Sequence, residues 1–318
     1  ASTAIYGARG SSGVVLITTK QGGKSKPTFD FSANYGIQNV DKIIDEMDAY
    51  QYVAYTMWYR NEAFVRSGGN LSAPMSSRAS SYQYPDSWKT PGNLPNVNWQ
   101  KEVYRAAPIQ NYQLTASGGN DMGSYLVSGS YLDQTGIMEY TGYKRTTLRI
   151  NTTLNVGKYI RLGMNLAPSF STDNNPDSEG KDTALHHAIF MPPIVATKQN
   201  TEEWGYNMLT TLPNPLERLK ETHSETRNNK ILSNVWGEIA LSNNLKIKSQ
   251  YGYNFQETKN SYFRPSNVNN GIATYGTFYS NDQYTWSLQN TLNYNPKISS
   301  LFDLNVLAGQ SIEGIKYY

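Results

Sequence analysis

From Pro27 onward, apolar and polar residues alternate with a period of two. Phe29, Phe31, Ala33, Tyr35 and Ile37 are separated by small or polar neighbours, as in a strand whose two faces meet different media. The same pattern predicts nine strands, at 27–37, 109–117, 124–132, 144–156, 160–170, 231–241, 245–255, 284–294 and 302–310. The fourth alternates most cleanly. Leu148, Ile150, Leu154 and Val156 fall on one face, and Arg145, Thr147, Arg149, Asn151 and Asn155 fall on the other. No layer of amphipathic helices accompanies the strands. One helix is predicted at about 48–65, opened by Asp48 with Gln51 three residues later, a capping box, and closed by Gly68-Gly69.

The connections are sorted by length. Those after strands two, four, six and eight are short: 118–123, 157–159, 242–244 and 295–300. The long ones, 38–108, 172–229 and 256–283, follow strands one, five and seven. Tight turns on one rim and long loops on the other are the plan of an outer-membrane barrel, and ten-residue strands suit a tilted crossing. The fold class expected is therefore all-β: a transmembrane antiparallel β-barrel, about nine strands of a 22-stranded one. A plugged barrel of that size would need roughly 700 residues, so the sequence is expected to be a fragment.

Composition narrows the class further. Of 318 residues, 38% are hydrophobic and only 17% charged, against about a quarter charged in a soluble protein, while 25 are Tyr. A disordered chain would lack those aromatics. A barrel with a polar interior, a lipid-facing exterior and Tyr/Trp girdles accommodates all three figures. A net charge of +3 without a basic run gives no nucleic-acid surface. With no cysteine there is neither a disulfide nor a thiolate metal site.

Three ordered blocks carry a family resemblance. The first is Ala4-Ile-Tyr-Gly-Ala-Arg-Gly10 with Gly13-Val-Val-Leu-Ile-Thr-Thr-Lys20, whose motif residues are Tyr6, Gly7, Arg9, Gly10 and Gly13. The second runs from Asn98 to Pro108 and on through Gln110–Asn120. The third comprises Tyr131–Ile137, Tyr143-Lys-Arg145 and Leu148–Asn151. Together they resemble the end of the plug domain and the first barrel strands of SusC/RagA-type TonB-dependent transporters. The resemblance implies that 1–26 is the C-terminal end of a plug with its linker, and that 27–318 is the first part of the barrel. It also implies active import of a large nutrient across the bacterial outer membrane, with an oligosaccharide as the expected cargo. The implied partners are a SusD-like surface lipoprotein and, through a region absent here, TonB–ExbB–ExbD; the transporter–lipoprotein pair is expected to form a dimer. The alternatives are a RagA-like peptide importer, an ordinary TonB-dependent receptor for a small chelate and, from another class, a passive porin or surface adhesin.

No enzyme, cofactor or metal site is expected. Gly7-x-x-Gly10-x-x-Gly13 leads into a strand, whereas a phosphate cradle needs a following helix N-terminus. His186 and His187 are adjacent and read as a solvated loop pair. Strand parity points Asp30, Arg145, Arg149, Arg161, Glu238, Lys246, Lys248 and Asp303 into the lumen, where they would pair with a plug or with one another, or attract acidic solutes. Trp58, Tyr59, Trp88, Trp99, Trp204 and Tyr206 in the long loops are candidates for contacts with sugar or partner.

Overall fold

The computed structural model describes residues 20–178, 180–197, 210, 212–268, 273–296 and 304–318. Its framework is one nine-stranded sheet in strict sequence order: β1 (Thr28–Gln38), β2 (Ala107–Asn120), β3 (Gly123–Thr135), β4 (Gly142–Val156), β5 (Ile160–Asn174), β6 (His223–Ser242), β7 (Leu245–Arg264), β8 (Tyr275–Tyr294) and β9 (Val306–Tyr317). Each strand pairs antiparallel with the next.

The register carries each face of one strand onto the same face of the next. At mid-height on one face lie Tyr125, Thr152, Met164, Val235, Tyr251, Leu288 and Ile312. On the other face the row at that height is Asn151, Asn165, Asn234, Gly252 and Ser287. Phe31, Leu148, Leu154, Leu162 and Val235 stand exposed on the first face. A water-soluble sheet would cover so continuous an apolar surface, so it defines a lipid-facing wall. Among the described residues no helix is long and apolar enough to cross a membrane.

β6, β7 and β8 are each 20 residues long, about twice a tilted crossing. The apolar band occupies only their short-turn halves. Its last row is Pro168, Ile231, Phe255 and Tyr284, and the next row on that face is Phe170, Asn229, Glu257 and Asp282. The expected loop at 256–283 is thereby corrected. Most of it is strand standing above the band, polar on both faces in its first rows, with Phe263 and Phe278 exposed farther up. β9 is likewise placed later than the expected 302–310.

The hydrophobic core lies outside the sheet, in the long loops. Helix α1 (Ala49–Arg66) starts at the Asp48/Gln51 capping box. It packs Ala49 and Val53 against Trp88 and Ile194. Helices α2 (Trp99–Val103), α3 (Ala184–Phe190) and α4 (Pro215–Glu221) share a second cluster. It contains Trp99, Val103, Met138, Ala184, Ala188, Met191, Val195 and Leu219. Both clusters draw on the loop after β1 and the loop after β5, and Met138 adds the loop after β3. Three loops thus fold as one cap.

Candidate functional site: the polar face and the loop cap

Asn side chains dominate the middle of the polar face. Asn151, Asn165, Asn234 and Asn254, with Arg149 and Thr285, line a groove of about 400 Å³. Asn151 is the buried member of the set, because its Nδ2 donates to the carbonyl of Lys20 at 2.8 Å. The segment 20–26 is strapped to this face and to the β2–β3 turn. Gly119 N–H donates to Ser25 O at 3.0 Å, and Lys24 pairs with Asp121. A Cβ on Gly22 would collide with the backbone of Tyr125, so only glycine allows this approach.

Toward the short-turn rim the parity-derived charges meet. Glu238 lies between Arg161 and Lys248 in the register, and Lys246 Nζ stands 3.9 Å from it. Sequence reading did not single out Trp236, the centre of this group. Arg161 lies over its ring at 5.6 Å and Lys248 at 4.8 Å, a cation–π arrangement on both flanks. Gly163, directly opposite, leaves space for the indole, since a Cβ there would run into the ring. A tryptophan in polar-parity register with a glycine across the strand pair was the available signal. Asp30 and Arg149 share a row but stand three strands apart. Arg145 lies nearer the long-loop rim, opposite Leu132 and Ser171. Asp303 and the motif residues Tyr6, Gly7, Arg9, Gly10 and Gly13 fall outside the described residues, as do Trp204 and Tyr206.

The loop aromatics divide. Trp58 remains 57% exposed, with Tyr55 beside it at 5.9 Å between ring centroids, and Tyr59 is equally open. Trp88 and Trp99, at 3% and 0% exposure, are core residues, a correction to their candidacy as ligand contacts. Trp99 Nε1 donates to Pro192 O at 3.3 Å, joining one loop to the other.

His187 is also corrected: it is buried, not solvated. Its Nε2 meets Asp182 Oδ1 at 2.9 Å. Burial pushes its pKa below the usual histidine value, with Arg218 acting in the same direction and the Asp182 hydrogen bond opposing. Arg218 donates to Asp182 O at 2.6 Å and to Asp177 Oδ2 at 3.2 Å. Tyr262 and Arg264, on the upper part of β7, reach the same Asp177 oxygen at 2.6 and 3.4 Å. This node fastens the second loop to the strand wall. Among the described residues no group of three or more His, Asp or Glu is placed to hold a metal ion.

This geometry defines a class: one wall of a membrane β-barrel, polar inside and crowned by folded loops. No family model matches the chain. Among curated proteins it is 27% identical over 99% of its length to TonB-dependent receptor P3 of Formosa agariphila, and 24% identical over 99% to receptor P26 of the same organism. It is 26% identical over 40% of its length to TonB-dependent receptor SusC of Bacteroides thetaiotaomicron. The chain spans 30% of the length of the first two and 10% of SusC. A solved structure of the RagAB peptide transporter superposes on 99% of this chain and 37% of its own, with a TM-score of 0.74 at 22% identity, a likeness of fold. The chain is thus similar along its length to a stretch of TonB-dependent receptor, with SusC among its relatives and a fold like that of the RagAB structure.

Proposed function

We propose that the protein takes part in TonB-dependent import across the bacterial outer membrane, moving an oligosaccharide with the help of a SusD-like surface lipoprotein. Likeness to TonB-dependent receptors along 99% of the chain carries this reading. Two structural features support it. The polar face would line the lumen, where the strap at 20–26 delivers the preceding chain to Asn151, as a plug entering its barrel requires. The loop cap, with its own cores, would offer a pre-ordered rim on which a protein partner loses little conformational entropy. On this reading Arg161, Lys246, Lys248 and Glu238 border the periplasmic end of the lumen, and Trp58 and Tyr59 are loop aromatics open to sugar or partner.

Because the chain has no cysteine, engineered cysteines report topology cleanly. On intact cells, an impermeant thiol reagent should label sites between Val40 and Pro108 and between Asp173 and Asn229. Asn120→Cys and Lys158→Cys should react only after the outer membrane is opened; labelling of Asn120→Cys from outside would overturn the orientation. Uptake of labelled oligosaccharide by cells carrying the full-length receptor should cease without TonB. Uptake of peptides but not glycans would transfer the reading to the peptide-importing alternative. Affinity purification from gently solubilised membranes should recover a surface lipoprotein in near-equal amount.

A further inference from the structure

Two rows above the apolar band, the outward face of the wall carries a row with three cationic side chains. Asp133, Lys144, Thr172, Arg227, Lys259 and Ser280 are in register across β3 to β8. Within that row the register sets Thr172 between Lys144 and Arg227. With strands about 4.8 Å apart, the two cations rise from backbones about 10 Å apart. Side chains of their length can therefore converge on one group seated over the threonine.

A groove of about 190 Å³ lies there, bordered by Lys144, Thr146, Phe170, Thr172, Arg227 and Asn229. Chemistry changes down its length. The two cations and the Thr172 hydroxyl stand at the top. Phe170, exposed, lies one row lower, and Pro168 with Ile231 begins the lipid-facing surface beneath. A cationic mouth above an aromatic shelf above an apolar wall has the polarity of a phosphorylated lipid lying against a membrane protein.

The countercharges do not close the site. Asp133 stands 3.4 Å from Lys144, and Glu225 meets Arg227 at Nε, 2.7 Å away. The cationic side chains are 63% and 62% exposed. Ion pairs this open contribute little and rearrange readily, whereas a phosphate between two cations gains charge-assisted hydrogen bonds from both.

We infer that the Lys144–Thr172–Arg227 groove binds the phosphate headgroup of an anionic lipid in the outer leaflet. The lipid is the source favoured over free phosphate because the groove continues into the apolar wall. The inference rests on the membrane orientation proposed above.

The test uses the full-length receptor in phosphatidylcholine nanodiscs with and without lipid A, with bound lipid counted by native mass spectrometry. Wild type should retain lipid A, and Lys144→Gln with Arg227→Gln should weaken retention about tenfold or more. Lys158→Gln, the loss of a cation on the opposite rim, should leave retention unchanged. Asp133→Asn removes a competing carboxylate and should strengthen it, a result that does not depend on the double variant folding. Equal retention by wild type and the double variant would overturn the inference. So would equal losses in the double variant and Lys158→Gln, or complete displacement of lipid A by inorganic phosphate. A receptor that fails to enter the nanodisc would instead overturn the membrane reading itself.

Discussion

Replacing Val235 with arginine tests the two-faced wall most directly. Val235 sits on the apolar face in the mid-height row with Met164, Tyr251 and Leu288, two rows toward the short turns from the band's last row at Ile231. Arginine at the midplane of a transmembrane barrel costs about 2–4 kcal/mol, or a loss of roughly 30- to 1000-fold in the folding equilibrium. Ile231 is four residues away, about 13 Å along the strand and about 10 Å along the membrane normal at the usual tilt. Ile231→Arg should therefore cost only about 0–1 kcal/mol. Asn234→Arg, adjacent in sequence but on the polar face, should fall in the same low range. The assay is a denaturant titration of the full-length receptor refolded into vesicles, read by tryptophan fluorescence and by heat-modifiable migration. Equal costs for Val235→Arg and Asn234→Arg would refute the facing, and equal costs for Val235→Arg and Ile231→Arg would refute the depth.

Trp99→Ala should empty the cap core at a cost of about 3–5 kcal/mol, and limited proteolysis should then cut both the 39–106 and the 175–222 loops; cleavage confined to the first would refute a shared core. His187 has a folded pKa depressed below the unfolded value near 6.5, so between those two values the unfolded cap binds more protons and stability falls as pH drops below about 6.5. Protease resistance of the cap should accordingly be lower at pH 5.5 than at 7.5, and His187→Gln should flatten that difference. Gly163→Val should force Trp236 off its seat and cost about 1–3 kcal/mol, with the indole fluorescence shifted; an unshifted spectrum at full stability would refute the packing.

The sequence showed the membrane crossing more clearly than it showed the strands. Alternation located 231–241, 245–255 and 284–294, the halves of β6, β7 and β8 that face lipid on one side. In the first rows above the band both faces are polar, the contrast between them disappears, and twenty-residue strands read as loops. Strand order, turn sorting and the α1 capping box were legible because each depends on near neighbours. Trp88, Trp99 and His187 were misjudged for the opposite reason. Their burial depends on contacts such as Trp99 with Pro192, 93 positions apart, which no local pattern encodes. Trp236 was missed although its parity was readable, because its partner Gly163 leaves no chemical signature of its own.

The interlocked cap also constrains how a chain of this design can diversify. Loops that fold independently can be lengthened, exchanged or lost one at a time. Here Ile194 of the later loop completes the core beneath α1, and the carbonyl of Pro192 holds the indole of Trp99 from the earlier one. A chimaera that imports only the first loop from a relative would bring part of each of two hydrophobic cores and find the wrong remainder. New cap surfaces would then be inherited as a block of several loops, with the strand wall below left unchanged.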